Sequence, residues 1–224
     1  MLKRFAPLLA PALLALTGAG PAQTPAKDVY VAITTSAGTI TVDLDAEHAP
    51  LTTANFLKYV DGRRFDGTAF YRSMHLDWGT PPNGLIQGGT QNEPTRTFKP
   101  VAHEPTSQTG LLHKRGTISM ARFAPGTATG DFSIMVSDQP GLDARPDAPD
   151  ADGKAGFAAF GQVVGGMEVV DRIWDMPRSA TKGAGVMKGQ MLDPVVKIVS
   201  VRRVAGPPAP VSGAPAVPSA AGTD

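Results

Sequence analysis

The sequence predicts a mainly β protein whose strands close into an antiparallel barrel, and three observations predict it. Short β-compatible runs bounded by Gly, Pro or Asp recur along most of the chain. Two stretches alone carry helical spacing, and they lie far apart in sequence. Strands and helices do not alternate, and neither GxGxxG nor GxxxxGK[ST] occurs, so βαβ units and a doubly wound nucleotide-binding sheet are excluded.

In chain order, "VYVAITTSAGTITVDL" reads as two strands joined through "SAG", a hairpin signal. "APLTTANFLKYVDGRRF" follows with Pro50 near its start, an apolar stripe at Leu51, Ala54, Leu57 and Val60, and Gly62 as C-cap, giving one helix of about three turns. The runs "GTAFYRSM", "GLIQGG", "GTISMAR", "DFSIMVS" and "FAAFGQVV" are strands. "GMEVVDRIWDM" returns to helical spacing, with Met167, Val170, Ile173 and Trp174 on one side, and "PVVKIVSVRRV" alternates as a closing strand. "DARPDAPDADGK", "SATKGAG" and "VMKGQM" read as surface loops.

The two ends differ from this middle. "MLKRFAPLLAPALLALTGAGPAQ" has a basic start, an apolar run from Phe5 to Leu16 and then small residues, the order of a secretory leader cleaved after Ala22. The apolar run is too short and too rich in proline for a membrane span, which needs ~20 residues. Residues 23–27 are a linker, residues 28–205 the folded domain, and residues 206–224 a Pro/Ala-rich tail that cannot bury enough surface to order itself. The leader places the mature protein in the periplasm or outside the cell, with no membrane insertion after cleavage. A net charge of +1 without clustered Lys and Arg excludes a nucleic-acid footprint. The absence of cysteine removes disulfides, thiol nucleophiles and cysteine zinc sites.

One stretch sits awkwardly in this pattern. In "TAFYRSM", strict alternation puts Phe70 and Arg72 on the same strand face, yet a guanidinium buried without partners is costly. Arg72 is therefore either at a strand mouth, snorkelling, or held there for a purpose.

The ordered signposts "APLTTANFLKYVDG", "FDGTAFYR", "IQGG", "RGTISMAR", "TGDFSIMVSDQPGLD" and "FAAFGQVVGGMEVVDRI", with the closing strand, resemble the cyclophilin-type peptidyl-prolyl cis-trans isomerases from about Val29 to about Val204. The resemblance implies a closed eight-stranded antiparallel β-barrel capped by two α-helices. It also implies a site on the outer face and no cofactor. Arg72 matches the arginine that donates towards the prolyl nitrogen, and Gln87 the glutamine that orients it and bonds the substrate backbone. Leu85, Leu142 and the main chain of Ala121 and Arg122 match the groove lining. Phe132 of "DFSI", which also matches a core position of the family, Ser133 and Phe157 complete the substrate-binding set.

The departures from the family pattern are specific. Residues 73–86 make a longer link between Arg72 and Gln87 than the family has, and Gly84 falls where an aromatic is usual. Ser133 replaces the phenylalanine that floors the proline pocket, Asp131 a glutamine, Gly141 a tryptophan or phenylalanine, and Phe157 a histidine or tyrosine. With the Gly141 aromatic missing, weak binding of cyclosporin-type macrocycles is implied. Trp78, in the inserted loop, is a candidate replacement wall; alternatively it pins its own loop to the barrel. Phe123 is either a second candidate wall or a core filler. Asp131 either pairs with Arg72 or faces solvent.

Other chemistries find no support. HExxH is absent, and His75, Asp77, His103, Glu104 and His113 form no metal-ligand spacing; His103 and Glu104 match a loop-stabilising pair of the family. No GxSxG elbow occurs. The expected function is cis-trans isomerisation of prolyl bonds in exported proteins, with proline-containing segments as partners of a monomer. A peptide-binding module that has lost turnover is the alternative.

Overall fold

The computed structural model describes residues 29–207, so the leader, the linker and most of the tail lie outside the described residues. Within them nine strands run β1 (Val29–Thr35), β2 (Gly38–Leu44), β3 (Ala69–His75), β4 (Gly84–Gly89), β5 (Thr117–Met120), β6 (Asp131–Met135), β7 (Ala158–Gly165), β8 (Arg178–Ser179) and β9 (Met191–Val204). Each strand expected from the sequence is present. The spatial order β1-β2-β7-β5-β6-β4-β3-β9 closes through β1–β9 pairing, and every pairing is antiparallel. Eight strands therefore form the barrel, leaving no free edge. The two-residue β8 hangs on β9 outside the ring.

Four helices accompany it: α1 (Pro50–Asp61), α2 (Thr106–Thr109), α3 (Ala151–Ala155) and α4 (Met167–Trp174). The short α3 lies inside the Asp-rich segment expected to be all loop, started by the Asp150 side chain accepting from the Gly153 amide. The buried face of α1 also differs from the expected stripe. Leu57 and Val60 are buried as expected, but Leu51 is 51% exposed and Ala54 is exposed, and Thr52, Thr53, Phe56 and Tyr59 turn inward beside them. Buried Glu104 explains the rotation. Its carboxylate accepts from the Leu51 amide at 3.1 Å, the Thr52 amide at 2.7 Å and the Thr52 hydroxyl at 2.6 Å, so both Thr52 donors are satisfied at the helix start. A threonine is thereby more easily buried than the leucine beside it.

α4 buries Val169, Val170 and Ile173, with Met167 and Trp174 packed at the margin. It lies so close to the first hairpin that a Cβ on Gly38 would stand 2.8 Å from Val169 Cγ2. The interior is filled by Phe56, Phe65, Phe70, Phe132 and Phe160, most of them in tilted or edge-on pairs 5.0–5.6 Å apart.

Candidate functional site

A β-bulge sets the site. Phe70 pairs with Gly88 and Arg72 with Gln87, so Tyr71 is the extra residue, and against β9 the register also breaks there, jumping from Val196 to Met191. The bulge breaks the alternation that put Phe70 and Arg72 on one face. Phe70 is buried in the core, whereas Tyr71 and Arg72 both line an external cleft, followed by inward Ser73 and outward Met74. The burial problem raised by the sequence is solved by one inserted residue.

Register then builds the floor of this cleft, which encloses about 670 Å³. Met191, Arg72, Gln87, Ser133 and Ser119 stand side by side on β9, β3, β4, β6 and β5. The next outward row is Met74, Leu85 and Met135. Between the two rows Ser73, Ile86, Ile134 and Ile118 point inward. The same parity corrects the assignment of Phe132, which is one residue from Ser133 and therefore faces the barrel interior. It is fully buried against Phe56, Phe65 and Phe70, and it does not line the cleft.

A hydrogen-bonded relay fixes the cation. Arg72 Nη1 donates to Gln87 Oε1 at 2.7 Å and Nε donates to Gln190 Oε1 at 2.8 Å. Gln87 Nε2 donates to Tyr71 Oη at 2.7 Å, and that hydroxyl donates to Asp131 Oδ1 over a long 3.4 Å. Asp131 in turn accepts from the Gln91 and Asn92 amides at 2.8 and 3.2 Å. It is 4% exposed, so it neither faces solvent nor pairs with Arg72; two side chains separate them. Burial pushes the Asp131 carboxyl above the ordinary aspartate range, against the pull of the Gln91 and Asn92 amides and of the Tyr71 hydroxyl. Burial likewise raises the Tyr71 phenol, helped by the Asp131 charge. It lowers the Arg72 guanidinium, which still remains a cation. Both acceptors on Arg72 are neutral amides, and two of its five N–H groups are used, so its charge is held in place without being neutralised.

The walls stand at opposite ends of the polar row. Beyond Ser119 lie Ala121, Arg122, Phe123, Leu142 and Phe157, and beyond Arg72 lie Met191 and the connection Ala184–Met187. The Arg122 side chain is 2% exposed and committed elsewhere. It donates to Gly156 O, Phe123 O and Asp152 Oδ1, and it stacks 4.4 Å over the Phe157 ring. Phe123, 74% exposed on the cleft rim, does not fill the core.

Trp78 is a correction too. It is 64% exposed, does not line the cleft, and does not pin its loop to the barrel. Trp174 and His75 anchor the β3–β4 hairpin instead. Their rings stack 3.7 Å apart, Trp174 Nε1 donates to Met74 O at 2.9 Å, and His75 Nε2 bonds Trp174 O at 2.8 Å. The β3 strand thus continues to His75 opposite Gly84, where a Cβ would fall 1.9 Å from Met74 O. That close approach leaves glycine as the residue that fits and excludes the aromatic usual there. Among the described residues no three His, Asp or Glu side chains converge as a metal site.

The family profile of the cyclophilin type peptidyl-prolyl cis-trans isomerases matches residues 30–203. The chain belongs to the cyclophilin family. Its bacterial relatives include peptidyl-prolyl cis-trans isomerase A of Dickeya dadantii, 38% identical over 165 residues that cover 72% of this chain and 79% of the relative. A peptidyl-prolyl cis-trans isomerase of Acinetobacter baylyi is 36% identical over 180 residues, covering 78% of this chain and 85% of the relative. In fold, the crystal structure of a Cryptosporidium parvum cyclophilin type isomerase superposes with a TM-score of 0.60 at 20% identity, covering 81% of this chain and all of that one.

For a cyclophilin, this cleft is short of rings and long on thioethers. Ser133, Gly84 and Gly141 stand where rings are usual, and Met74, Met135, Met187 and Met191 line the space. Methionine is flexible and polarisable, so it can fill irregular volume against a ring that is bound only part of the time. Sequence reading missed these four residues together with Tyr71 and Gln190. The signal was present in the spacing of "VMKGQM" and in the Tyr immediately before Arg72.

Proposed function

We propose that this cyclophilin isomerises Xaa–Pro bonds by electrostatic stabilisation of the twisted amide, with Arg72 as the catalytic cation and Gln87 as its orienting partner. The observation that carries the reading is an arginine lining a cleft, braced by two neutral amides and, among the described residues, paired with no carboxylate. The planar amide resists rotation by ~18–20 kcal/mol because the nitrogen shares its lone pair with the carbonyl. When the bond twists, the lone pair returns to nitrogen, and a fixed N–H donor meets it there. Such a donor stabilises the transition state more than either planar ground state, which is the condition for raising the rate.

The proline ring rests over Ser133 and Leu142 with Met135 beside it, and Leu85 and Phe157 bound the groove. No proton is transferred and no covalent bond is made. A related Cryptosporidium parvum structure was determined in the presence of the dipeptide Ala-Pro, which supports a proline-containing segment as the occupant. The leader-like N-terminus supports a role in folding exported proteins. In a proline-limited refolding assay, catalytic amounts of the protein are expected to accelerate the slow phase, and Arg72→Ala to lose that acceleration. A refolding rate independent of Arg72 would refute the assignment. For location, residues 1–27 fused to a reporter that matures only outside the cytoplasm are expected to give signal; a silent, uncleaved fusion would refute export.

A further inference from the structure

Beyond Gln190, the connection between β8 and β9 has no part in the reaction just described, yet it forms one whole end of the cleft. Three features set it apart. Its backbone is internally bonded: the Met187 amide donates to Ala184 O at 3.1 Å, the Gly189 amide to Lys182 O at 3.0 Å, and the Gln190 amide to Met187 O at 3.1 Å. Gly183, at φ +94°, would place a Cβ 2.4 Å from Met187 O, so the tight turn depends on glycine there. The segment presents Val186 at 86% exposure beside Met187 and Met191, an apolar surface continuous with the cleft.

Gln190 joins this surface to the cation. Its side-chain oxygen accepts from Arg72 Nε at 2.8 Å while its side-chain nitrogen donates to Val186 O at 2.9 Å. Its carbonyl accepts from the Ser73 amide at 2.9 Å, which stitches the segment to β3 next to the bulge. One amide therefore sets both the pose of the guanidinium and the position of the apolar wall.

We infer that the Ala184–Met191 connection is the selective wall of the groove. It takes a large apolar side chain flanking the proline, with Gln190 as the positioning residue that couples this contact to Arg72. The inference rests on the isomerase reading above. Register supports the placement. The polar row runs from Ser119 to Arg72, so a ring over Ser133 leaves the neighbouring residue of an extended segment to pass Arg72 and meet Val186, Met187 and Met191. A side chain of leucine or methionine size covers apolar surface there that alanine cannot reach, and an acidic one gains nothing.

The test is a set of proline peptides carrying Ala, Leu, Met or Glu at each flanking position. Each is assayed for kcat and KM and titrated by calorimetry against wild type, Val186→Asp, Gln190→Ala and Gln190→Glu. Wild type is expected to favour Leu or Met over Ala by about tenfold at one flank, mainly through KM. Val186→Asp should collapse that ratio to within about twofold. Gln190→Ala should lower kcat on every peptide and flatten the ratio, and Gln190→Glu should lower kcat as well, because a carboxylate on Arg72 Nε neutralises the charge that the amide leaves free. Equal kcat/KM for all flanking residues in wild type, or an unchanged ratio in Val186→Asp, would overturn the wall. Unchanged kcat in Gln190→Ala would overturn the coupling. If wild type turns over nothing, the isomerase reading fails, and the wall is judged on the calorimetric ranking alone: Leu and Met above Ala sustains it, equal affinities remove it.

Discussion

Removing the Tyr71 hydroxyl probes the relay that fixes Arg72. In Tyr71→Phe, Gln87 Nε2 loses its acceptor at 2.7 Å, whereas Asp131 loses just a 3.4 Å contact and keeps two backbone donors. The damage therefore falls on Gln87, which is 9% exposed. A buried donor left unsatisfied costs about 1–3 kcal/mol, and water entering an open cleft moves the expectation to about 1 kcal/mol. The larger effect is on orientation. With Tyr71 present, the amide must turn its oxygen to Arg72; without it, the flipped amide presents N–H groups to a cation. Loss of that bond is worth about 1.4 kcal/mol, or tenfold in kcat/KM, carried by kcat. Urea denaturation and a peptide isomerisation assay read the two effects separately. Tyr59→Phe is the control: Tyr59 Oη accepts from the Phe98 amide at 2.9 Å, so this variant loses comparable stability and keeps its turnover. Wild-type turnover in Tyr71→Phe, or an equal turnover loss in Tyr59→Phe, would refute the relay.

Other expectations concern the scaffold and the thinned pocket. Glu104→Gln keeps the shape of the α1 cap but removes its charge and one acceptor, and denaturation should show a loss of about 1–3 kcal/mol with little change in peptide affinity. His113 is buried between Asp143 Oδ1 at 2.7 Å and Ser119 Oγ at 2.8 Å. Burial, outweighing the Asp143 carboxylate, holds its imidazole below the usual pKa of 6.5, in the neutral form. The unfolded chain then binds a proton that the folded one refuses. Stability present above pH 6.5 is lost as pH falls towards the folded pKa, and His113→Gln should flatten that slope. Exposed His48, raised by Asp45, works in the opposite sense, so the difference between the wild-type and His113→Gln curves is the quantity to read. At Gly141 an added Cβ meets nothing within 4 Å, so a side chain can leave the backbone there without an immediate clash. Cyclosporin-type macrocycles should bind wild type weakly and Gly141→Trp at least about tenfold better; nanomolar binding to wild type would contradict this.

The barrel was legible because its determinants are local. Turn residues bound each strand, and alternation within strands marks inside and outside. The count of eight barrel strands came through resemblance, and the strand order, which is not local, was not read at all. Within the site, Arg72 and Gln87 could be named because their motifs are distinctive. What the sequence hid was parity. A bulge at Tyr71 carries no signature, so Phe70 and Arg72 read as sharing a face, and Phe132 was assigned to the cleft although it points into the core. Trp78 misled for a related reason. An aromatic in an inserted loop suggests a wall, but the hairpin was already anchored by Trp174, a hundred residues away in sequence. The α1 stripe held at Leu57 and Val60 and failed at the helix start, where a long-range carboxylate, Glu104, made burial of Thr52 cheap. The methionine lining was invisible because its members come from β3, β6, β9 and a loop.

The most direct test of the central claim is exchange NMR on a proline peptide mixed with wild type or Arg72→Ala, since one sample reports binding through chemical shifts and isomerisation through cis–trans exchange. The account predicts that Arg72→Ala still binds the peptide while exchange falls by about a hundredfold or more. Exchange at the wild-type rate in Arg72→Ala, with binding intact, would contradict it.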